Sequence, residues 1–512
     1  MPRKPKPKNA LSAGERVALY NAEQEEKMKR FSFAEAKVSA DDKTETDGLK
    51  PVSRARAATK SKIKLPKPRT ALVKVDLSLP VGEIKALNGM CNGPVSYGSD
   101  ITGLFRELNV PYVRFDGADT AISACAVDCS KIFKDMNADP TDPENYDFSV
   151  TDIYVSAALS TGAEVIFRLG ESVDMLCDKR ESSLPQSYET YARVCVNIIK
   201  HYNGHFADGF AFGIKYIDIW CCDESREISA QLELYEKIAN AIKTFDDTLL
   251  VGGMSFSGNR VGELLRYCKK NHVPLDFISL DCFATDIESA TETVERCVAQ
   301  MKNLGFYDTK IILGKWSYID KESLGEKSLE SVLCGNESLS DEKRRLFDSQ
   351  GSVRGAAYAA ALMLRLNSFD EVLTACLYDA QPMISPWCAI ADRFGAPKKP
   401  FYALKAFSEL RKAKNAVLCV SEQADGYAHS GIYACAAVAD SGEAYILLSS
   451  FEGCGTVDIR VDGIPDNLYT ADIYMLDGVK DMTLSSSVAI SGMKKRFVLN
   501  VSEYGVVMIK LY

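Results

Sequence analysis

Short apolar runs return at regular intervals between residues 86 and 380: ALNGMCNGP (86–94), YVRFDG (112–117), EVIFRLG (164–170), KYIDIWCCD (215–223), LLVGGMSF (249–256), FISLDCFA (277–284), KIILGKWSY (310–318) and VLTACLYDA (372–380). Each is rich in Val, Ile and Leu and none alternates strictly, the pattern of a strand covered on both faces. Between them lie stretches with helical spacing, among them DITGLFRELN, SYETYARVCVNIIKHY, SAQLELYEKIANAIKTF and RGAAYAAALMLRLN. Eight strands alternating with helices predict an α/β fold, the (β/α)8 TIM barrel. A doubly wound open sheet would alternate in the same way, but no GxGxxG follows the first strand.

After Lys414 the helical spacing stops. AVLCVSE, GIYACAAVA, EAYILLSSF, TVDIRVDGI, LYTADIYML and RFVLNVSEYGVVMIKLY are divided by Gly and Asp turns, which predicts a C-terminal antiparallel β-sandwich. ALVKVDLSL (71–79) reads as one more strand for it. The expected organisation is a basic tail at 1–70, a strand at 71–85 joining the sandwich, a barrel at 86–414 and the sandwich at 415–512.

Composition narrows the function classes. With 46% hydrophobic and 26% charged residues in 512, the chain has the balance of a soluble globular protein. No run approaches the ~18 apolar residues of a membrane span, and the opening MPRKPKPKNA lacks the apolar stretch of a secretory signal. The 16 cysteines are scattered through apolar segments, as free thiols in a reducing, cytoplasmic compartment would be. Residues 1–70 hold 18 Lys+Arg against 9 Asp+Glu, whereas the rest of the chain is acidic by 18 charges. The body is therefore a poor nucleic-acid surface, and only the tail is suited to an acidic partner. KPKPK, DDKTETDG and KLPKPR predict disorder there, with one helix from Ser12 to Arg30; a solubilising tail is the simpler role.

Cofactor and metal signals are weak. The VGGMSFSGN stretch lacks the GKS/T ending of a phosphate loop. Cys177, Cys221, Cys222 and Cys282 come near the barrel mouth, but no CxxC pair and no histidine accompanies them, so structural thiols are expected and no metal.

Over residues 87–380 the chain resembles glycoside hydrolase family 39, the β-xylosidase and α-iduronidase type of clan A. The resemblance rests on GLFRELNVPYVRFDG, DPTDPENYDFSVTD, VIFRLGES, IIKHYNGHF, IKYIDIWCCDES, LLVGG, PLDFISLDCFA and IILGKWSY, in the family's order. It implies a retaining glycosidase barrel, with an acid/base Glu after the fourth strand and a nucleophilic Glu after the seventh. Both positions are substituted here. Where the family has Trp-Asn-Glu-Pro, this chain reads Trp220-Cys221-Cys222-Asp223, so Cys222 stands at the acid/base position and Cys221 at the Asn that contacts the sugar. Lys315 precedes Trp316 where the nucleophile is expected, and two expected histidines are Asp116 and Asp281.

Retaining hydrolysis needs two carboxyl groups about 5–5.5 Å apart. A thiol near pKa ~8.5 is a poor proton donor to a glycosidic oxygen, and an ammonium repels an oxocarbenium-like charge. The expected function is therefore a non-catalytic, carbohydrate-binding or scaffold protein on a glycosidase fold. The alternative is an active glycoside hydrolase that draws non-standard carboxylates from Asp116, Asp281, Asp223 and Asp379. Trp220 and Trp316 are candidate sugar platforms, or else caps of the barrel core. Strict alternation would place Asp218, Trp220 and Cys222 on one face of their strand. Lys315 is expected within about 4 Å of Asp116, Asp281 or both, because an unpaired buried charge costs several kcal/mol.

Overall fold

The computed structural model describes residues 69–512 except 97, 117, 121–123, 171–183, 222–226, 257–259, 326, 328–340, 383–386, 424–430, 454, 465–469, 491 and 493–494. The tail helix expected at Ser12–Arg30 lies outside the described residues. β1 (Arg69–Glu83) precedes eight strands that close into a parallel barrel in chain order: β2 (Asn88–Cys91), β3 (Tyr112–Arg114), β4 (Glu164–Leu169), β5 (Tyr216–Cys221), β6 (Leu250–Phe256), β7 (Phe277–Ala284), β8 (Lys310–Tyr318) and β9 (Val372–Leu377). All eight fall on the predicted apolar runs. Helices α1 (Thr102–Glu107), α2 (Thr151–Leu159), α3 (Tyr188–Gly204), α4 (Ile228–Phe245), α5 (Val261–Asn271), α6 (Ile287–Leu304), α7 (Asp341–Gln350), α8 (Val353–Leu366) and α9 (Lys399–Ala413) accompany them. Side-chain caps mark several helix starts: Ser187 accepts from Thr190 N, Asp286 from Ser289 N and Ser352 from Arg354 N. Among the described residues no helix is long and apolar enough to cross a membrane.

The C-terminal strands are β10 (Asn415–Gln423), β11 (Ile432–Val438), β12 (Ala444–Ser450), β13 (Gly455–Asp462), β14 (Thr470–Leu476), β15 (Asp481–Ala489), β16 (Lys495–Val501) and β17 (Val506–Leu511). With β1 they make one continuous nine-stranded sheet, ordered β15-β14-β17-β12-β11-β10-β1-β13-β16, instead of two separately bonded sheets. It curls over so that Val73, Val75, Ile459 and Val461 share a core with Ile446, Leu448, Val507 and Ile509. β1 pairs antiparallel with β10 but parallel with β13, the one parallel pair of this sheet among the described residues. β15 was missed in the sequence because an edge strand facing water on both sides needs no apolar stripe: Leu484, Ser485, Ser486 and Ser487 are all exposed.

Period-two alternation joins the two parts. Ile446 and Leu448 point into the sheet's own core, whereas Leu447, Ala437 and Met508 belong to the barrel's core. They meet α8, whose Ala356, Ala357, Ala359, Ala360 and Ala361 are fully buried and let backbones approach closely. Ser449 donates from Oγ to Ala357 O across this seam at 2.8 Å.

Candidate functional site

The lower barrel interior is apolar: Cys91, Ile166, Phe277, Ile312 and Cys376 pack with Tyr112, Tyr216, Leu250 and Leu373. Charge begins above them. Arg114 is wholly buried and donates from Nε to Asp218 Oδ2 at 2.5 Å and from Nη2 to Ser255 Oγ at 2.7 Å. Ser279 Oγ donates to the same Asp218 oxygen at 2.8 Å. A Cβ on Gly253, whose φ is +131°, would lie 2.5 Å from Asp218 Oδ1, so only glycine lets β6 pass this carboxylate.

Asp116 forms the next layer. One carboxylate oxygen, Oδ1, is 3.3 Å from Arg114 Nη1 and 3.1 Å from Arg168 Nε. The other, Oδ2, is 2.7 Å from Lys315 Nζ, which also reaches Asp281 Oδ2 at 3.4 Å. Asn92 Oδ1 accepts from the Asp116 backbone N–H at 2.9 Å and fixes its position. Three cations (Arg114, Arg168, Lys315) thus face three carboxyl groups (Asp116, Asp218, Asp281) contributed by five strands or their ends. Burial pushes the Asp116 carboxyl up, but Lys315, then Arg168 and Arg114, more than reverse this and hold it well below the usual range. Asp281 goes the other way: burial raises it, the Asp116 charge adds to this, and Lys315 only partly offsets it.

Two bulges decide which side chains enter the barrel. Along β7 and β8, Leu280 pairs with Leu313 but Asp281 pairs with Lys315, so Gly314 is an extra residue. The phase of β8 reverses there: Lys315 turns inward, and Trp316 turns out against Tyr358 of α8 at 6.1 Å between ring centres. A Cβ on Gly314 would come within 3.0 Å of Arg114 Nε. On β5, Ile219 pairs with Gly253 and Cys221 with Met254, which skips Trp220 at φ +62°. Its indole packs 6.0 Å from Tyr191 of α3.

These bulges correct the expected sugar platforms. Trp220 and Trp316 both belong to the core behind the barrel wall, not to its mouth. The same bulge breaks the strict alternation that placed Trp220 with Asp218. Cys221 closes β5, while Cys222, Asp223 and Cys177 lie outside the described residues. Asp379 is buried just beyond β9, where its Oδ1 accepts from Gln381 N at 3.0 Å, a turn-forming role. Cys282 is buried behind the wall, its thiol pushed up to about 12 by burial and then by Asp281. Among the described residues no group of three or more His, Cys, Asp and Glu is arranged to hold a metal ion.

Arg114, Arg168, Ser255 and Ser279 were not singled out from the sequence, and Asp218 only as sharing a strand face with Trp220. A signal existed: YVRFDG, EVIFRLG and KYIDIWCCD each carry a charge inside a run covered on both faces, and such charges are retained only when paired.

The comparisons with known proteins bear on this parallel eight-stranded barrel and its trailing β-rich part. The family model for glycosyl hydrolases family 39 matches residues 185–312, a segment that includes the Cys222 and Asp281 positions and stops short of Lys315. A beta-xylosidase of Caldicellulosiruptor saccharolyticus is 25% identical over 157 residues, which is 29% of this chain and 30% of that one. The fold is shared with a glucosidase from Croceicoccus marinus (TM-score 0.68, 20% identity, covering 86% of this chain and 99% of that one). It is shared also with the GH39 enzyme from Xanthomonas axonopodis pv. citri (TM-score 0.61, 15% identity, covering 89% and 99%). These matches support a relationship to glycoside hydrolase family 39.

Proposed function

We propose that this chain is a non-hydrolytic, glycosidase-like protein whose barrel mouth has exchanged a catalytic pair for a charge-balanced cluster, and which serves in carbohydrate binding or as a scaffold. The observation that carries this reading is Lys315, whose ammonium lies 2.7 Å from Asp116 and 3.4 Å from Asp281. Lys315, Arg168 and Arg114 hold Asp116 ionised, yet both of its oxygens are engaged by these cations, which leaves it a weak nucleophile. Both carboxylates hold the same ammonium, so Lys315 fills the space in which an inverting pair would place its water. The ten free cysteines among the described residues support a reducing compartment, the cytoplasm, and the basic tail suits an acidic partner.

One feature favours the rival, an active hydrolase with unusual carboxylates. Asp116 is pushed down and Asp281 up, as in an acid/base pair whose members have separate roles. Purified protein incubated with aryl β-xylosides, β-glucosides and α-arabinofuranosides decides between them. No turnover above buffer is expected. Turnover that Asp116→Asn or Asp281→Asn abolishes would overturn the non-hydrolytic reading.

A further inference from the structure

Lys315 lies in the C-terminal half of β8, where the resemblance expects a nucleophile, and its amine is itself one once it loses a proton. The proton has a place to go. Asp281 Oδ2 lies 3.4 Å from Nζ, and the other oxygen of that carboxyl, Oδ1, is buried without a hydrogen-bond partner among the described residues. Burial raises the pKa of Asp281, so it takes up a proton more readily than an exposed carboxylate does.

Asp116, at 2.7 Å, holds the ammonium less firmly than that distance suggests. Its single charge also serves Arg114 at 3.3 Å and Arg168 at 3.1 Å. Two guanidiniums close by and a nearly dry setting both disfavour a third cation. The side chains of Lys315 and Asp281 keep 13% and 18% of their exposure, so both are reached from the mouth, while the guanidiniums lie beneath them at 0% and 1%.

We propose that Lys315 captures a small neutral hydroxyaldehyde, such as the open-chain form of an aldose, as an imine, with Asp281 carrying the proton. The ammonium passes a proton to Asp281, and the neutral amine attacks the aldehyde carbon. The C–N bond forms as the carbonyl electron pair moves to oxygen, which takes the proton that the nitrogen sheds. Asp281 then returns its proton to this hydroxyl, the C–O bond breaks, water leaves, and the nitrogen lone pair closes the C=N bond. Nothing is oxidised or reduced. The product is a protonated imine, so the positive charge is again between Asp116 and Asp281 and the cluster stays balanced. A ligand carboxylate would meet Asp281 first, which disfavours anionic aldehydes. The proposal goes beyond the carbohydrate-binding reading, because a glycoside offers no carbonyl carbon and the capture requires one.

The test treats the full chain with glycolaldehyde and cyanoborohydride, which traps the imine by delivering hydride to its carbon, and locates the adducts by peptide mass mapping. Lys134 is the internal reference: it too pairs with a carboxylate, at 2.9 Å, but its side chain is 67% exposed. Hydroxyethylation of Lys315 should run at least about tenfold ahead of that of Lys134. With glyoxylate, an aldehyde that carries a carboxylate, this preference should vanish. Asp281→Asn should bring Lys315 down to the level of Lys134 or below. A Lys315 labelled no faster than Lys134 in wild type overturns the proposal, and that comparison needs no variant to fold. A preference kept with glyoxylate overturns the neutral ligand class, and one kept in Asp281→Asn overturns the proton carrier. Turnover of aryl glycosides would overturn only the non-hydrolytic reading, whereas an unlabelled Lys315 would overturn only the imine.

Discussion

Removing the amine from Lys315 tests the ionic cluster most directly. Lys315→Met keeps the apolar stem and deletes the charge that Asp116 and Asp281 share. Breaking a buried pair by removing one partner typically costs about 3–5 kcal/mol. The loss here should be smaller, about 1–3 kcal/mol, because each carboxylate has a fallback. Asp116 keeps Arg114 and Arg168, and Asp281 can take up a proton, a change its raised pKa already favours. The second fallback has a sign. A carboxyl whose folded pKa is raised contributes stability that is fully present below the unfolded value of ~3.9 and is lost as pH rises through the folded value. Without Lys315 that folded value rises further, so the difference between wild type and variant should be small near pH 4 and largest at pH 7–8. Thermal unfolding followed by calorimetry at both pH values measures this. A loss of ~2 kcal/mol lowers the midpoint by about 2–4 °C in a folded body of this size. A variant as stable as wild type at pH 7–8, or a deficit equal at both pH values, would refute the shared-cation account.

Three further outcomes follow from the same geometry. Gly314→Ala should destabilise by about 1–3 kcal/mol, since its Cβ would press on Arg114 Nε at 3.0 Å, and a neutral effect on the melting temperature would show that the guanidinium can give way. Cys222→Glu combined with Lys315→Glu should yield at most weak aryl glycoside hydrolysis. The new carboxylate at 315 would face Asp116 and Asp281, and positioning to about half an ångström is not restored by charge alone; robust turnover would contradict this. A chain beginning at Lys67 should keep its cooperative thermal transition, because β1 and the two cores are intact from there. Loss of that transition would give residues 1–66 a part in folding.

The eight barrel strands were legible in the sequence because strands covered on both faces must be apolar along their whole length, and FISLDCFA or KIILGKWSY announces that without reference to any neighbour. The substituted positions, Cys222 and Lys315, were legible by likeness to a known pattern. The attraction between Lys315 and the two aspartates was legible because a buried charge requires a partner. Where side chains point was not. The bulges at Trp220 and Gly314 exist only in relation to the strands beside them; the one at Gly314 reverses the phase of the rest of β8, so that Lys315 enters the barrel, and both indoles lie outside it. Nor could local sequence assign Arg114 to Asp218, 104 residues away, or seat Phe347 on Trp387. Such pairings depend on which strands become neighbours when the barrel closes, and only the tertiary structure decides that.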